Sequence, residues 1–235
     1  MLPIVILAGG LATRLYPKTQ QTPKSLIEIN GFPFIRQQLL LLKEKGVKQV
    51  VLCVGHFGNM IEEYVGDGSR FGLTVSYSYD GDVLLGTGGA IKKALAFLPD
   101  IFMIQYGDSY LDVDFEPIVQ RFHDDDLPVL MTVFHNRDAF DTSNVNLKDG
   151  RILKYDKKDR DPGMEYIDYG LIVIRKIIFD AYPPNEAFDL SLVLSQSVAA
   201  GQVSSYEVKQ RFFEIGSFEG IKETGDYIRN RGLPS

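Results

Sequence analysis

The chain has 235 residues, 45% of them hydrophobic and 24% charged, and a net charge of −6. That is a globular composition, with enough apolar material for one α/β domain or two small ones. The acidic balance leaves no basic stripe to neutralise a nucleic-acid backbone, and the single cysteine, Cys53, excludes an intrachain disulfide.

In chain order, Leu2 to Leu7 is an apolar run with the length and β-branched content of a buried strand. No basic residue precedes it and glycines follow at once, so it is not a targeting signal. No other run approaches the roughly 18 apolar residues of a membrane span, and a cytoplasmic protein is expected. The strand runs into LAGGLATRLYPKTQQTPK, Leu7 to Lys24. Gly9 and Gly10 let backbone amides approach an anion with no Cβ in the way, and such amides can converge on phosphate oxygens. Arg14 and Lys24 add fixed positive charge.

Leu26 to Ile29 ends at an Asn30-Gly31 turn, and Pro33 opens a helix to about Lys45, stopped by Gly46. Gln49 to Val54 is a buried strand, Met60 to Val65 a short helix, and Thr74 to Tyr79 a strand with the alternation of an exposed position. Asp80 to Ala90, DGDVLLGTGGA, is a second glycine-rich loop that leads into a helix over Ile91 to Phe97. Ile101 to Tyr106 is buried strand with Gly107-Asp108 just past its end, Phe115 to His123 is helical, and Val129 to Phe134 is a strand. Strand and helix thus alternate through residue 135, which predicts a single Rossmann-like α/β domain over 1–235. Its sheet is mixed but mostly parallel, with helices on both faces. Ligands bind such sheets outside the carboxyl ends of the strands, where the first loop and Asp108 both fall. Residues 136–235 add a hairpin at Asp149-Gly150, a strand over Tyr166 to Ile174, and helices over Phe188 to Ala199 and Phe218 to Arg229. They form an acceptor half beside the nucleotide half, 1–135. His56, His123 and His135 lack metal-ligand spacing, so zinc is not expected.

The opening string, L-A-G-G followed by Thr13-Arg14, Pro17 and Pro23-Lys24, resembles the signature of the sugar-nucleotide pyrophosphorylases, G-G-x-G-T-R with P-K beyond it. Ala12 takes the place of the last glycine. The resemblance runs from Leu7 to about Tyr227. Within the family it is similar to the heptose 1-phosphate guanylyltransferases and the small uridylyltransferases of cell-wall recycling. It implies a GT-A type fold and a reaction of a nucleoside triphosphate with a sugar 1-phosphate, giving an NDP-sugar and pyrophosphate with Mg²⁺ as cofactor. Neither nucleic acid nor a membrane is an implied partner, and a homo-oligomer stays open. The product class belongs to nucleotide-sugar biosynthesis for cell-surface polysaccharide.

The same resemblance implies the site residues. Leu7, Ala8, Gly9, Gly10, Thr13 and Arg14 would bind the nucleotide, with Arg14 on the triphosphate. Lys24 would meet the α-phosphate and the incoming sugar phosphate, and Asp108 would hold the metal. Phe213-Glu214-Ile215-Gly216-Ser217 stands where the family has D-x-G-T, so Glu214 is the second metal carboxylate, directly or through water. Lys157 and Gly170 would line the sugar-phosphate pocket; for Lys157, an exposed hairpin lysine is the competing reading. Leu85-Gly86-Thr87-Gly88-Gly89-Ala90 is similar to the L-G-T-A/G-G string of guanylyltransferases. Gly81 stands where pyrimidine-specific relatives carry a glutamine. Asp80 or Asp82 would then accept from guanine's paired N–H donors, with Gly86 and Thr87 beside the base. GTP with a heptose or mannose-type 1-phosphate is the expected pair, and UTP or CTP the alternative. Asp112-Val113-Asp114 spells D-x-D, a metal motif of glycosyltransferases, and supplies a rival enzyme reading. A nucleotide-sensing module that has lost turnover is the non-enzymatic one.

Overall fold

A computed structural model describes residues 1–232; residues 233–235, the end of the expected domain, lie outside it. The first strand, β1 (Ile4–Leu7), is followed by a hairpin of β2 (Glu28–Ile29) and β3 (Phe32–Pro33). Then come α1 (Phe34–Glu44), β4 (Gln49–Val54), α2 (Gly58–Val65), β5 (Thr74–Tyr79), α3 (Gly86–Ala94), β6 (Ile101–Tyr106), β7 (Ser109–Tyr110), α4 (Glu116–Asp125) and β8 (Val129–His135). The second half holds β9 (Val145–Lys148), β10 (Arg151–Tyr155), β11 (Tyr166–Arg175), α5 (Leu190–Ala199), β12 (Val203–Val208), β13 (Phe213–Glu214) and α6 (Phe218–Arg231).

Among the described residues, nine strands form one sheet. Its main path is β5-β4-β1-β6-β11-β8-β12, with the β9–β10 hairpin attached at the start of β11. The pairs β1–β4, β1–β6, β4–β5 and β8–β12 are parallel. β11 runs antiparallel to both β6 and β8. The sheet is therefore mixed but mostly parallel, as expected. Its continuity also means that both halves of the chain share one hydrogen-bonded layer.

Residue alternation sends Ile4 and Ile6 to one face and Val5 to the other, and all three are fully buried. The first face packs under α1, α2 and α4 through Leu39, Leu42, Ile61 and Phe122. The second packs under α3 and α5 through Ile91, Ala94, Leu190 and Val193. A third cluster of Leu15, Ile29, Phe34, Ile215 and Ile228 ties the first loop and the hairpin to α6.

One expectation needs correction. α3 begins at Gly86, so the second glycine string is the first turn of a helix and not a loop. Gly88 and Gly89 are there for close approach: a Cβ on Gly88 would lie 2.4 Å from the Phe188 ring, and one on Gly89 2.4 Å from Glu186 O. Their amides both donate to Phe188 O, at 2.9 and 3.2 Å, so these glycines dock the segment before α5 and do not cradle a phosphate. β12 carries no sequence signal. Its sequence, VSSYEV, shows no apolar alternation, yet it completes the sheet beside β8 with Ser204 and Ser205 buried.

Candidate active site

β1, β4 and β6 are parallel, so their carboxyl ends share one edge. A cleft of about 420 Å³ opens there, lined by Leu7 to Gly10, Ala12 to Arg14, Lys24, Ser25, Asp80, Gly86, Thr87, Tyr106 to Asp108 and Asp189. The first loop leaves β1 through Ala8, whose N–H donates to Cys53 O at 2.8 Å; it re-enters regular structure at Leu15, whose N–H donates to Ala12 O at 3.1 Å. Between them, the amides of residues 9–14 donate to no protein acceptor among the described residues. Ala12 takes a left-handed conformation, φ 52°, which costs a non-glycine residue about 1 kcal/mol. Thr19 Oγ1 donates to Ala12 O at 2.8 Å and holds that turn.

The charged side chains meet at the same edge. Lys24 Nζ lies 2.7 Å from Asp108 Oδ2. Asp108 is braced from behind: the buried amides of Gln38 and Gln105 both donate to Ser109 O, at 2.8 and 2.9 Å. Glu214 arrives on β13, which pairs with β7 so that Glu214 sits opposite Ser109. A Cβ on Gly216 would stand 3.3 Å from Lys24 Nζ and 3.5 Å from Arg14 Nη2. Arg14, Lys24 and Asp108 thus line one end of the cleft, and Glu214, which does not line it, stands just behind through the Gly216 turn.

Asp108 suits a hard divalent cation. One of its oxygens pairs with Lys24, and the other has no protein partner among the described residues. Glu214 is held differently. Its Oε1 accepts from Ser217 Oγ at 2.9 Å and its Oε2 from Gly216 N–H. A Cβ on Gly220 would fall 2.1 Å from Glu214 Oε1, so the side chain fills the first turn of α6. Both oxygens keep a lone pair, so a contact through water fits this geometry.

Asp80 lines the cleft and Asp82 does not. Asp80 Oδ2 accepts from Leu85 N–H at 3.3 Å, and burial pushes its carboxyl up against that hydrogen bond and the Lys93 charge. Lys157 and Gly170 do not line the cleft; both touch Tyr106, which does. Lys157 Nζ is 3.4 Å from Tyr106 Oη, and a Cβ on Gly170 would lie 3.1 Å from the Tyr106 ring.

The D-x-D pair faces elsewhere. Asp112 pairs with Lys45 at 2.8 Å and with Arg231, and accepts from Tyr227 O–H at 2.8 Å. Asp114 Oδ1 accepts from Glu116 N–H at 3.2 Å, at the start of α4. Neither lines the cleft.

Three lining residues escape sequence reasoning. Tyr106 looks like an ordinary strand residue. Ser25 Oγ is buried with no hydrogen-bond partner among the described residues, and no motif marks it. Asp189 stands at the N-cap of α5 but makes no capping bond with its side chain. Thr87 Oγ1 accepts the Leu190 N–H instead, at 2.8 Å, and donates to Asp189 Oδ1 at 3.3 Å. An aspartate before a helix is too ordinary a cap to signal this.

A mixed α/β sheet whose carboxyl edge carries open amides and a ring of charge defines a nucleotide-handling enzyme. The chain belongs to the nucleotidyl transferase family, whose model matches residues 4–219. It is 29% identical over 212 residues to the D-glycero-alpha-D-manno-heptose 1-phosphate guanylyltransferase of Campylobacter jejuni, covering 90% of this chain and 93% of that one. It is 37% identical over 117 residues to the N-acetylmuramate alpha-1-phosphate uridylyltransferase of Neisseria meningitidis, about half of each chain (49% and 51%). In fold it matches the crystal structure of HddC from Yersinia pseudotuberculosis complexed with GMP-PN, with a TM-score of 0.81 at 24% identity over 97% of this chain and 100% of that one.

Proposed function

We propose that the protein joins a nucleoside triphosphate to a sugar 1-phosphate, and that GTP and a heptose or mannose-type 1-phosphate are its pair. The observation that carries the reaction is the meeting of open amides 9–14, Arg14, Lys24 and Asp108 at one strand edge. A phosphate oxygen of the sugar 1-phosphate attacks the α-phosphorus. A new P–O bond forms, the bond between the α-phosphorus and the bridging oxygen breaks, and pyrophosphate leaves with that electron pair. The nucleophile is already an anion, so no side chain need take its proton, and the work is positioning and charge stabilisation.

The amides and Arg14 hold the β- and γ-phosphates, and Lys24 lies against the α-phosphate and the incoming phosphate. Asp108, with Glu214 through water, would hold a divalent cation, Mg²⁺ in this reading, which when bound neutralises phosphate charge. Lys157 and Gly170 form the acceptor end. Lys24→Ala is expected to lower kcat more than it raises the KM for the triphosphate.

Asp80 supports guanine: it lines the cleft and is bonded to Leu85 N–H just before Gly86 and Thr87, and its acceptors suit paired N–H donors. The similarity to a uridylyltransferase over half the chain keeps UTP as the second reading. A panel of sugar 1-phosphates against four triphosphates, read by pyrophosphate release, tests the reaction; no turnover with any pair under metal would sink it. Equal GTP, UTP, CTP and dTTP in competition, with the product identified by mass, tests the base. GDP-sugar is expected, and a preference for UTP or CTP would discard guanine and leave the reaction class standing.

A further inference from the structure

The acceptor end contains a carboxylate that the transfer does not use. Asp168, on β11, is 8% exposed. Its hydrogen-bond partners are neutral donors and not a cation: Tyr106 O–H at 3.0 Å and Tyr155 O–H at 3.4 Å on Oδ2, and Gly170 N–H at 3.0 Å on Oδ1. Taking a carboxylate out of water costs several kcal/mol, and neutral hydrogen bonds return only part of that. The cation comes one hydroxyl further on. Lys157 Nζ lies 3.4 Å from Tyr106 Oη and 4.8 Å from the centre of its ring.

A tyrosine has one O–H proton. When it goes to Asp168, the oxygen's lone pairs are left for the lysine. We propose that Asp168 is a positioning residue: it fixes the Tyr106 hydroxyl, and Tyr106 seats the Lys157 ammonium at the acceptor end of the cleft for the phosphate of the sugar substrate.

The backbone is organised around the same carboxylate. The β11–β8 register shifts between Asp168 and Ile172, Gly170 within that bulge has φ 95°, and the Asp168 bond to Gly170 N–H closes it. Asp168 therefore ties Gly170, Tyr106 and Lys157 into one unit.

The inference rests on reading Lys157 as a ligand of the sugar phosphate, and the experiment separates the two. Lys157→Ala, Tyr106→Phe, Asp168→Asn, the double variant Tyr106→Phe/Asp168→Asn and Tyr155→Phe are compared in the 235-residue enzyme with GTP and mannose 1-phosphate, or the pair the wild type turns over best. Lys157→Ala, Tyr106→Phe and Asp168→Asn should each raise the KM for the sugar 1-phosphate about 10-fold. The KM for the triphosphate should stay within about twofold for all three. The double variant should be no worse than either single, because both cut the same link. Tyr155→Phe, which touches the carboxylate but not the lysine, should lower Tm and leave both KM values unchanged. If Asp168→Asn does not fold, Tyr106→Phe decides alone, since it removes only the hydroxyl. A raised KM in Lys157→Ala with none in Tyr106→Phe, or multiplying effects in the double variant, would overturn the positioning role and leave the lysine's. An unchanged KM in Lys157→Ala would overturn both.

Discussion

Asp108 and Asp112 lie on the same short stretch after β6, yet one faces the cleft with an oxygen unpaired and the other is ringed by Lys45, Arg231 and Tyr227. Burial alone would raise the Asp112 carboxyl, but the hydrogen bonds from those three residues outweigh it and hold the group below the usual carboxylate range. Arg231 reaches on to Glu44, so the cluster ties α6 to the end of α1. The difference is one of saturation. At the back of the sheet each charge already meets an opposite one, and the result is fixation of a helix. At the front Arg14 makes no ion pair among the described residues, the amides 9–14 are open, and Asp108 keeps a spare oxygen. A ligand can complete that set, and the closed cluster has nothing to offer one.

The largest effect expected from this contrast is a reversal of phenotype between two conservative changes. Asp108→Asn should lower kcat by about a thousandfold or more, a scale set by the loss of one preorganised charge contact in a transfer site. Tm should hardly move, because the side chain is partly exposed and its one ion pair, to Lys24, lies at the open cleft. Asp112→Asn should do the opposite. It leaves Lys45 and Arg231, each 17% exposed, without their shared partner, at a cost of about 3 kcal/mol in a chemical denaturation curve, while kcat and both KM values stay at wild type. Full activity in Asp108→Asn would move the metal elsewhere. Lost activity in a folded Asp112→Asn would revive the D-x-D reading.

Those two aspartates also mark what the sequence can and cannot tell. The strands β1, β4 and β6 are legible as short continuous apolar runs, and β5 by its alternation. The amide-rich loop is legible because glycines and basic residues after a strand have one common use. β12 is hidden because its buried residues are serines, satisfied locally: Ser205 Oγ donates to Gly150 O at 2.7 Å, and Ser204 Oγ to Val129 O at 3.4 Å. The start of α3 is hidden because three glycines in its first turn oppose helix, and only the Phe188 segment, distant in sequence, gives them a reason. Asp108 and Asp112 each stand in a string that spells a metal motif, G-D and D-x-D, the second a pattern common by chance. What separates them is which partners the fold brings, and Arg231 is too far along the chain for spacing to show it.

A second contrast within the site is smaller and concerns the Thr87 and Asp189 pair. Asp189 forgoes its capping bond and lines the cleft, while Thr87 does the capping from another element. Asp189→Ala should therefore cost less stability than a true N-cap loss of about 1 kcal/mol. It should raise a substrate KM severalfold, measured by varying each substrate in turn. Thr87→Ala should show the larger stability loss of the two. A loss of about 1 kcal/mol in Asp189→Ala with unchanged KM values would return it to an ordinary cap.

The smallest effect is expected at Asp80, and its sign opposes that at Asp112. Asp112 titrates lower in the folded chain than the ordinary value of about 3.9. The unfolded state then binds more protons in the window below that value, so the stability Asp112 contributes is present above it and lost as pH falls. Asp80 titrates higher in the folded chain, because burial outweighs the Leu85 N–H and the Lys93 charge. Here the folded state binds more protons between the ordinary value and the raised one, so stability falls as pH rises through that window. Asp80→Asn keeps an acceptor for the Leu85 N–H and removes the charge. At neutral pH it should be slightly more stable than wild type, by no more than about 0.5 kcal/mol. The gain should shrink as the pH falls through the raised value toward the ordinary one and wild-type Asp80 takes up its proton. Asp112→Asn should instead lose part of its deficit as the pH falls through the same range, and denaturation curves at pH 7 and at about pH 3.5 separate the two. A cleft that keeps a carboxylate at some cost to the fold is using it for a ligand. A less stable Asp80→Asn at neutral pH would show that the charge serves the loop itself, and the case for Asp80 as the base reader would fall with it.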